Sequence, residues 1–281
     1  MKSSFTAADG CRLHYETYGL QGMRRSEASR SAVIFLSGTT QTALQWRPQA
    51  LFFRDQFPVV CYDGRAQGKS DPGSRKLSLD LHVEDLYCLL AFLRVGRAHL
   101  VGLSHGAQVA LAFAASHPEK TARLVLCGVG AEPGPRTRAV VRSWMEILDI
   151  NGLSAMAWAA LPVILGETYL RANERLLPKM VSALVARNRK DSLLAHFAAL
   201  LTYPPPSDNA KRISRPCLVI SGSDDLLNPP ASARRLARMI AADYEQFEQV
   251  GHSVPVEAAG RFNRTCHRFL SADAAHSARR F

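Results

Sequence analysis

Short aliphatic runs recur along the chain, spaced widely enough to leave room for a helix between them. Ala32-Val33-Ile34-Phe35-Leu36, Val59-Val60-Cys61-Tyr62, Leu100-Val101-Gly102-Leu103, Leu124-Val125-Leu126 and Leu218-Val219-Ile220 are each apolar almost without interruption. Strands covered on both faces read this way, because side chains pointing up or down both meet protein. Leu13-His14-Tyr15-Glu16-Thr17-Tyr18 instead alternates in character, which predicts a half-exposed antiparallel strand at a sheet edge. Between strands, Leu81, Leu86, Leu89, Leu90 and Leu93 fall at helical intervals and predict a helix from Leu79 to Leu93. From His105 to Ser116 the residues are small and apolar nearly all round, so that helix is expected in the interior, ended by His117-Pro118. Strand–helix alternation of this kind predicts an α/β fold built on a doubly wound, mostly parallel sheet.

One region departs from the alternation. Between Ala131 and Pro206 there is no strand pattern, only helical stretches: Arg138 to Ile150, Ala155 to Leu165, Leu177 to Arg187 and Ser192 to Leu201. This predicts an all-helical cap, residues 131–206, inserted into a core made of residues 1–130 and 207–281. Trp144, Trp158, His196 and Phe197 lie in the cap and are candidate substrate-pocket residues, although such residues often serve only to pack helices together. Residues 272–281 are expected to form a loose polar tail.

Composition narrows the class. In 281 residues, 47% are hydrophobic and 21% charged, which is ordinary for a globular protein and excludes collagen-like or disordered chains. No apolar run approaches the ~18 residues of a membrane span, and Met1-Lys2-Ser3-Ser4-Phe5-Thr6 lacks the apolar core of a secretory signal. The six cysteines are scattered singly inside apolar stretches, with no CxxC pair, so buried reduced thiols in a cytoplasmic protein are expected and structural zinc is not. The net charge of +11 is spread along the chain without a zinc-finger, RNP or phosphate-loop pattern. A soluble basic surface is the expected reading, with no nucleic-acid partner, and an acidic acyl carrier is the alternative partner.

The candidate chemistry sits at strand ends. Gly102-Leu103-Ser104-His105-Gly106 follows an apolar strand and opens the buried helix, the context in which G-x-S-x-G presents a nucleophile. A serine on so sharp a turn needs neighbours without a Cβ, and the helix start behind it offers free N–H groups to a developing oxyanion. A serine hydroxyl also needs a base oriented by a carboxylate. Asp224 and Asp225 follow the strand ending at Gly222, and His252 follows Gly251 at the end of what reads as the last strand. Ser104, Asp225 and His252 lie 121 and 27 residues apart, which leaves room for the cap and for one strand–helix unit.

With these residues the sequence resembles the α/β-hydrolase superfamily over nearly its whole length. Gly222, Asp225 and Pro229 match the family's G-x-x-D-x-x-x-P acid motif, which favours Asp225 over Asp224, and Gly251-His252 matches its histidine motif. Asp63-Gly64-Arg65-Ala66-Gln67-Gly68-Lys69-Ser70 resembles the family's D-x-R-G-x-G-x-S loop, with Ala66 where glycine is usual. Ser37-Gly38-Thr39 followed by Trp46 stands at the oxyanion loop, with serine in place of histidine. The resemblance implies a two-donor oxyanion hole from the backbone N–H groups of Thr39 and His105, and no cofactor or metal. The His105 side chain is expected only to shape the pocket.

Three functions fit. The first is a serine hydrolase of carboxylic esters, lactones or related small acyl substrates, acting through an acyl-enzyme. The second is an acyltransferase or thioesterase on a carrier-bound chain. The third is a non-catalytic small-molecule receptor on the same fold, against which the intact triad argues.

Overall fold

In the computed structural model, which describes residues 2–19 and 31–272, eight strands form one sheet in the order β1-β2-β4-β3-β5-β6-β7-β8. They are β1 (Lys2–Thr6), β2 (Arg12–Tyr18), β3 (Ala32–Leu36), β4 (Val59–Tyr62), β5 (Ala98–Leu103), β6 (Thr121–Cys127), β7 (Cys217–Gly222) and β8 (Asp243–Phe247). From β4 onward the pairing is parallel, while β1 and β2 add an antiparallel hairpin. The edge expected at residues 13–18 is therefore wrong in place. Leu13–Tyr18 pairs with a strand on each side, and β1, whose few residues carry little pattern, is the true edge. Beyond Ala272, the expected polar tail lies outside the described residues.

Eleven helices follow: α1 (Arg47–Phe53), α2 (Leu79–Phe92), α3 (His105–Ser116), α4 (Pro135–Ile164), α5 (Glu167–Ala172), α6 (Leu177–Arg187), α7 (Lys190–Leu200), α8 (Pro206–Ala210), α9 (Pro230–Met239), α10 (Val254–Glu257) and α11 (Ala259–Leu270). The continuous apolar strands are explained by burial on two sides. Ile34, Leu36, Leu100 and Leu124 pack against α2, α3 and α9. Their neighbours Val33, Phe35, Val101 and Val125 pack on the other face with Trp46, Phe53 and Phe262. The arrangement is an α/β doubly wound sheet.

The chain between Cys127 and Cys217 holds helices and no strand among the described residues. Its apolar residues form clusters of their own, one built on Val141, Trp144, Leu148, Met156, Leu193 and Phe197. α4 is 30 residues long and is the one described helix with the length and apolar composition of a membrane span. Gly152, at φ 81°, breaks it into the two helices that the sequence pattern separates. All six cysteines are free, and all but the half-buried Cys88 are buried.

Candidate active site

β5 ends at Leu103 and α3 starts at His105, so Ser104 alone turns the chain, at φ 55° and ψ −116°. That conformation costs on the order of 1–3 kcal/mol for a residue with a side chain. It is held because Ser104 N–H donates to the Cys127 carbonyl at 2.8 Å and α3 is packed on all sides. The flanking glycines are required by close approach: a Cβ on Gly102 would lie 2.4 Å from the Gly106 carbonyl oxygen, and one on Gly106 would lie 2.2 Å from that of Leu36.

Asp225 and His252 meet across the loops that follow β7 and β8. His252 Nδ1 lies 2.8 Å from Asp225 Oδ2, and both side chains are buried. The other carboxylate oxygen accepts the N–H groups of Leu227 at 2.9 Å and Asn228 at 2.8 Å, so the acid cannot rotate freely. Burial works against the charged imidazole, but the charge and hydrogen bond of Asp225 outweigh it, so the His252 pKa stands above the ordinary histidine value. The two loops touch through main chain, because a Cβ on Gly222 would lie 2.1 Å from the Val250 carbonyl oxygen. Asp224 faces away from this pair, accepting the Ser223 hydroxyl at 2.7 Å. β8 ends at Phe247, so His252 stands on a loop five residues beyond the strand rather than at its end. β8 is polar on one face and only partly buried, which hides its limit in the sequence.

Ser104 and His252 line one cleft between sheet and cap, with Thr39, Gln41, Trp144, Phe197, Leu200 and Tyr203 among its walls. The space measures ≈ 1020 Å³ counted out to its open mouth, and Arg138 is its one lysine, arginine or carboxylate wall residue. Thr39 is held in place from behind: Gln67 Nε2 donates to the carbonyls of Gly38 at 2.8 Å and Thr39 at 3.0 Å. His105 opens α3, so its N–H has no partner within the helix and stands beside Ser104.

Two of the four cap candidates line the cleft and two do not. Trp144 and Phe197 pack with ring centroids 5.9 Å apart and line the cleft. Trp158 is 45% exposed and does not line it, because its side of α4 turns to the outside of the cap. His196 is fully buried beneath the cap, 2.9 Å from the Arg65 carbonyl, away from the cleft. The His105 ring also turns away from the pocket, toward Tyr203, His82 and His196.

Glu257 escaped the sequence reading. Its carboxylate accepts the N–H groups of Gly251 at 2.9 Å and Ser253 at 3.0 Å, and that of Gly166 in the cap at 2.8 Å. The one available sign was an acid set alone in the apolar stretch Val254-Pro255-Val256-Glu257-Ala258-Ala259. The D-x-R loop has an equally internal role. Arg65, fully buried, pairs with Asp85 at 2.7 and 2.9 Å and with Asp9 at 2.9 Å, and Asp63 Oδ1 accepts the Ala43 N–H at 2.6 Å. Ala66 stands at φ 62°, the left-handed region that makes glycine usual there.

Sheet order, elbow and loop motifs agree with the family description that matches residues 33–265, that of the alpha/beta hydrolase family. The chain belongs to the α/β-hydrolase family. It is an enzyme of that family, a hydrolase. Among similar α/β-hydrolases, a candidate carbamate hydrolase RutD of Caulobacter sp. strain K31 is 30% identical over 270 residues, 94% of this chain and 97% of that protein. The 2-hydroxy-6-oxononadienedioate/2-hydroxy-6-oxononatrienedioate hydrolase of Burkholderia vietnamiensis strain G4 is 29% identical over 276 residues, 92% of this chain and 91% of that one. The crystal structure of the enol-lactonase from Burkholderia xenovorans LB400 superposes with a TM-score of 0.87 at 26% identity, covering 96% of this chain and all of that one.

Proposed function

We propose that the protein is a serine hydrolase that cleaves an ester, lactone or carbamate whose acyl part is apolar, through Ser104, His252 and Asp225. The observation that carries this reading is that Ser104 and His252 share one cleft while Asp225 sits behind the imidazole at 2.8 Å. Ser104 Oγ attacks the carbonyl carbon as His252 Nε2 takes its proton. The oxyanion is received by the N–H groups of Thr39 and His105. Collapse expels the leaving oxygen or nitrogen, which takes the proton back from His252. Water, activated by the same imidazole, then adds to the acyl-Ser104 ester and releases the acid and the free serine. Asp225 holds the imidazole with Nδ1–H toward the carboxylate, and so keeps Nε2 free to accept.

The similar proteins support the choice of substrate class, since a carbamate and an enol-lactone both carry an acyl carbon on a heteroatom. The cleft walls support an apolar acyl group, being mostly Val, Leu, Ile, Trp, Phe and Pro above a polar floor. The test is labelling with a fluorophosphonate, followed by a panel of p-nitrophenyl esters of rising chain length. Covalent labelling together with ester turnover is expected. A folded protein that neither labels nor turns over any ester or lactone would overturn the reading.

A further inference from the structure

Three histidines far apart in sequence come together under the cap. His82 on α2, His105 on α3 and His196 on α7 are all buried, with exposures of 1%, 3% and 0%. Their ring centroids are 4.7, 5.3 and 5.5 Å apart, and one ring nitrogen of each lies within 4.8 Å of one on each of the others. Each also has a buried ring nitrogen with no hydrogen-bond partner: Nε2 of His82, Nδ1 of His105 and Nδ1 of His196. An unpaired buried polar atom costs on the order of 1–3 kcal/mol, so three in one place call for an occupant.

We propose that His82, His105 and His196 form a binding site for one borderline transition-metal dication, of the zinc or cobalt type, which joins the cap to the core. Neutral imidazole is the preferred nitrogen ligand of such ions. Imidazoles on one tetrahedral zinc have nitrogens about 3.4 Å apart, from Zn–N distances of about 2.0–2.1 Å. From the 4.8 Å limit observed, each ring needs to move inward by less than about 1 Å.

The surroundings suit a cation in three further ways. His196 Nε2 donates to the Arg65 carbonyl at 2.9 Å, which leaves Nδ1 as the lone-pair nitrogen. A backbone carbonyl on the far nitrogen is a common support for a metal-bound histidine. The guanidinium of the neighbouring Arg65 is paired with two carboxylates, Asp85 at 2.7 Å and Asp9 at 2.9 Å, which offset its charge. A small cavity adjoins His82 and His105 and is lined also by the unpartnered Ser37 hydroxyl, a polar neighbour for a further ligand.

The competing occupant is a single buried water, and the experiment separates the two. The full chain is freed of metal with a chelator, then titrated with Co²⁺ at pH 7.5 and followed by its visible absorption. One equivalent of Co²⁺ with tetrahedral bands, displaced by one equivalent of Zn²⁺, is expected. His82→Gln and His196→Gln should each weaken uptake at least 100-fold, whereas the half-buried His267→Gln, remote from the cluster, should leave it unchanged. Zn²⁺ should raise the melting temperature of the wild type and not that of His196→Gln. A folded wild type that takes up no Co²⁺ or Zn²⁺ at 100 µM overturns the proposal without any variant, and uptake unchanged in His82→Gln/His196→Gln assigns the metal to surface groups and overturns it equally.

Discussion

Glu257 grips the main chain on both sides of His252, accepting the N–H groups of Gly251 and Ser253, and with the same carboxylate accepts the N–H of Gly166 in the cap. A charged acceptor on three buried donors contributes more than a neutral one, about 1.5–3 kcal/mol per bond. Glu257→Gln should therefore lower kcat by roughly 10–100-fold and lower the melting temperature, while fluorophosphonate labelling is slowed but retained. Kinetics and a thermal melt on the same sample check this. An unchanged kcat would mean that the loop holds His252 without help.

Ser104→Ala should abolish labelling and reduce kcat by roughly 10³–10⁶-fold, because binding and the oxyanion donors leave only residual catalysis. Ser104→Gly should be equally inactive yet more stable by about 1 kcal/mol, since it relieves the φ 55° conformation. Calorimetry on the two variants compares them. Equal melting temperatures would show that the turn carries no strain.

The two neighbouring acids should separate sharply. Asp225→Asn should lose about 10⁴-fold in kcat by favouring the wrong imidazole tautomer, whereas Asp224→Asn should stay within about tenfold. The ester assay reads both, and the reverse order would move the acid role to Asp224.

The pH profile follows from the charge of the base. On the proposed mechanism His252 accepts a proton only when neutral, so kcat/KM should fall as pH drops through its pKa, with the inflection above the ordinary value of about 6.5 because the Asp225 carboxylate overcomes the effect of burial. In the folded state the same raised pKa stabilises the protein at pH below the ordinary value, and that stabilisation is lost as pH rises through the folded pKa. In Asp225→Asn the inflection should move down. A profile flat from pH 5 to 8 would exclude His252 as the base.

Trp144 and Trp158 look alike in the sequence and should behave differently. Trp144→Phe should shift chain-length preference several-fold, at about 0.8 kcal/mol per methylene accommodated, because Trp144 lines the cleft. Trp158→Phe, on the outer face, should leave the ratio of long to short esters unchanged within about twofold. A uniform loss across the series for Trp144→Phe, with a lowered melting point, would reduce its part to packing.

Much of the molecule was legible in its sequence because the fold repeats one local rule. The parallel strands are buried on both faces and the limits of α3 coincide with the small-residue run His105–Ser116. The elbow could be read since its glycines are dictated by contacts a few residues away, Gly102 against Gly106. What escaped depends on which way a helix face turns. Trp158 and Trp144 are fourteen positions apart on α4, but Gly152 rotates one half of it relative to the other, so no single helical period relates them. His82, His105 and His196 are too far apart in the chain for spacing to unite them, and each reads alone as an ordinary interior residue. β1 was missed because a short edge strand with one solvated side has little apolar pattern to show.

The contact between Gly222 and the Val250 carbonyl fixes how far apart Asp225 and His252 can stand, and it is made of backbone alone. Asp225 and His252 thus have their separation set by main chain rather than by a side chain of the cap. On the proposed mechanism, Trp144, Phe197 and Leu200 can be exchanged to admit another acyl group while the Asp225–His252 contact is kept. The side chains on the cleft face of the cap are therefore the part to redesign first, with Gly166 left in place because Glu257 ties it to the His252 loop.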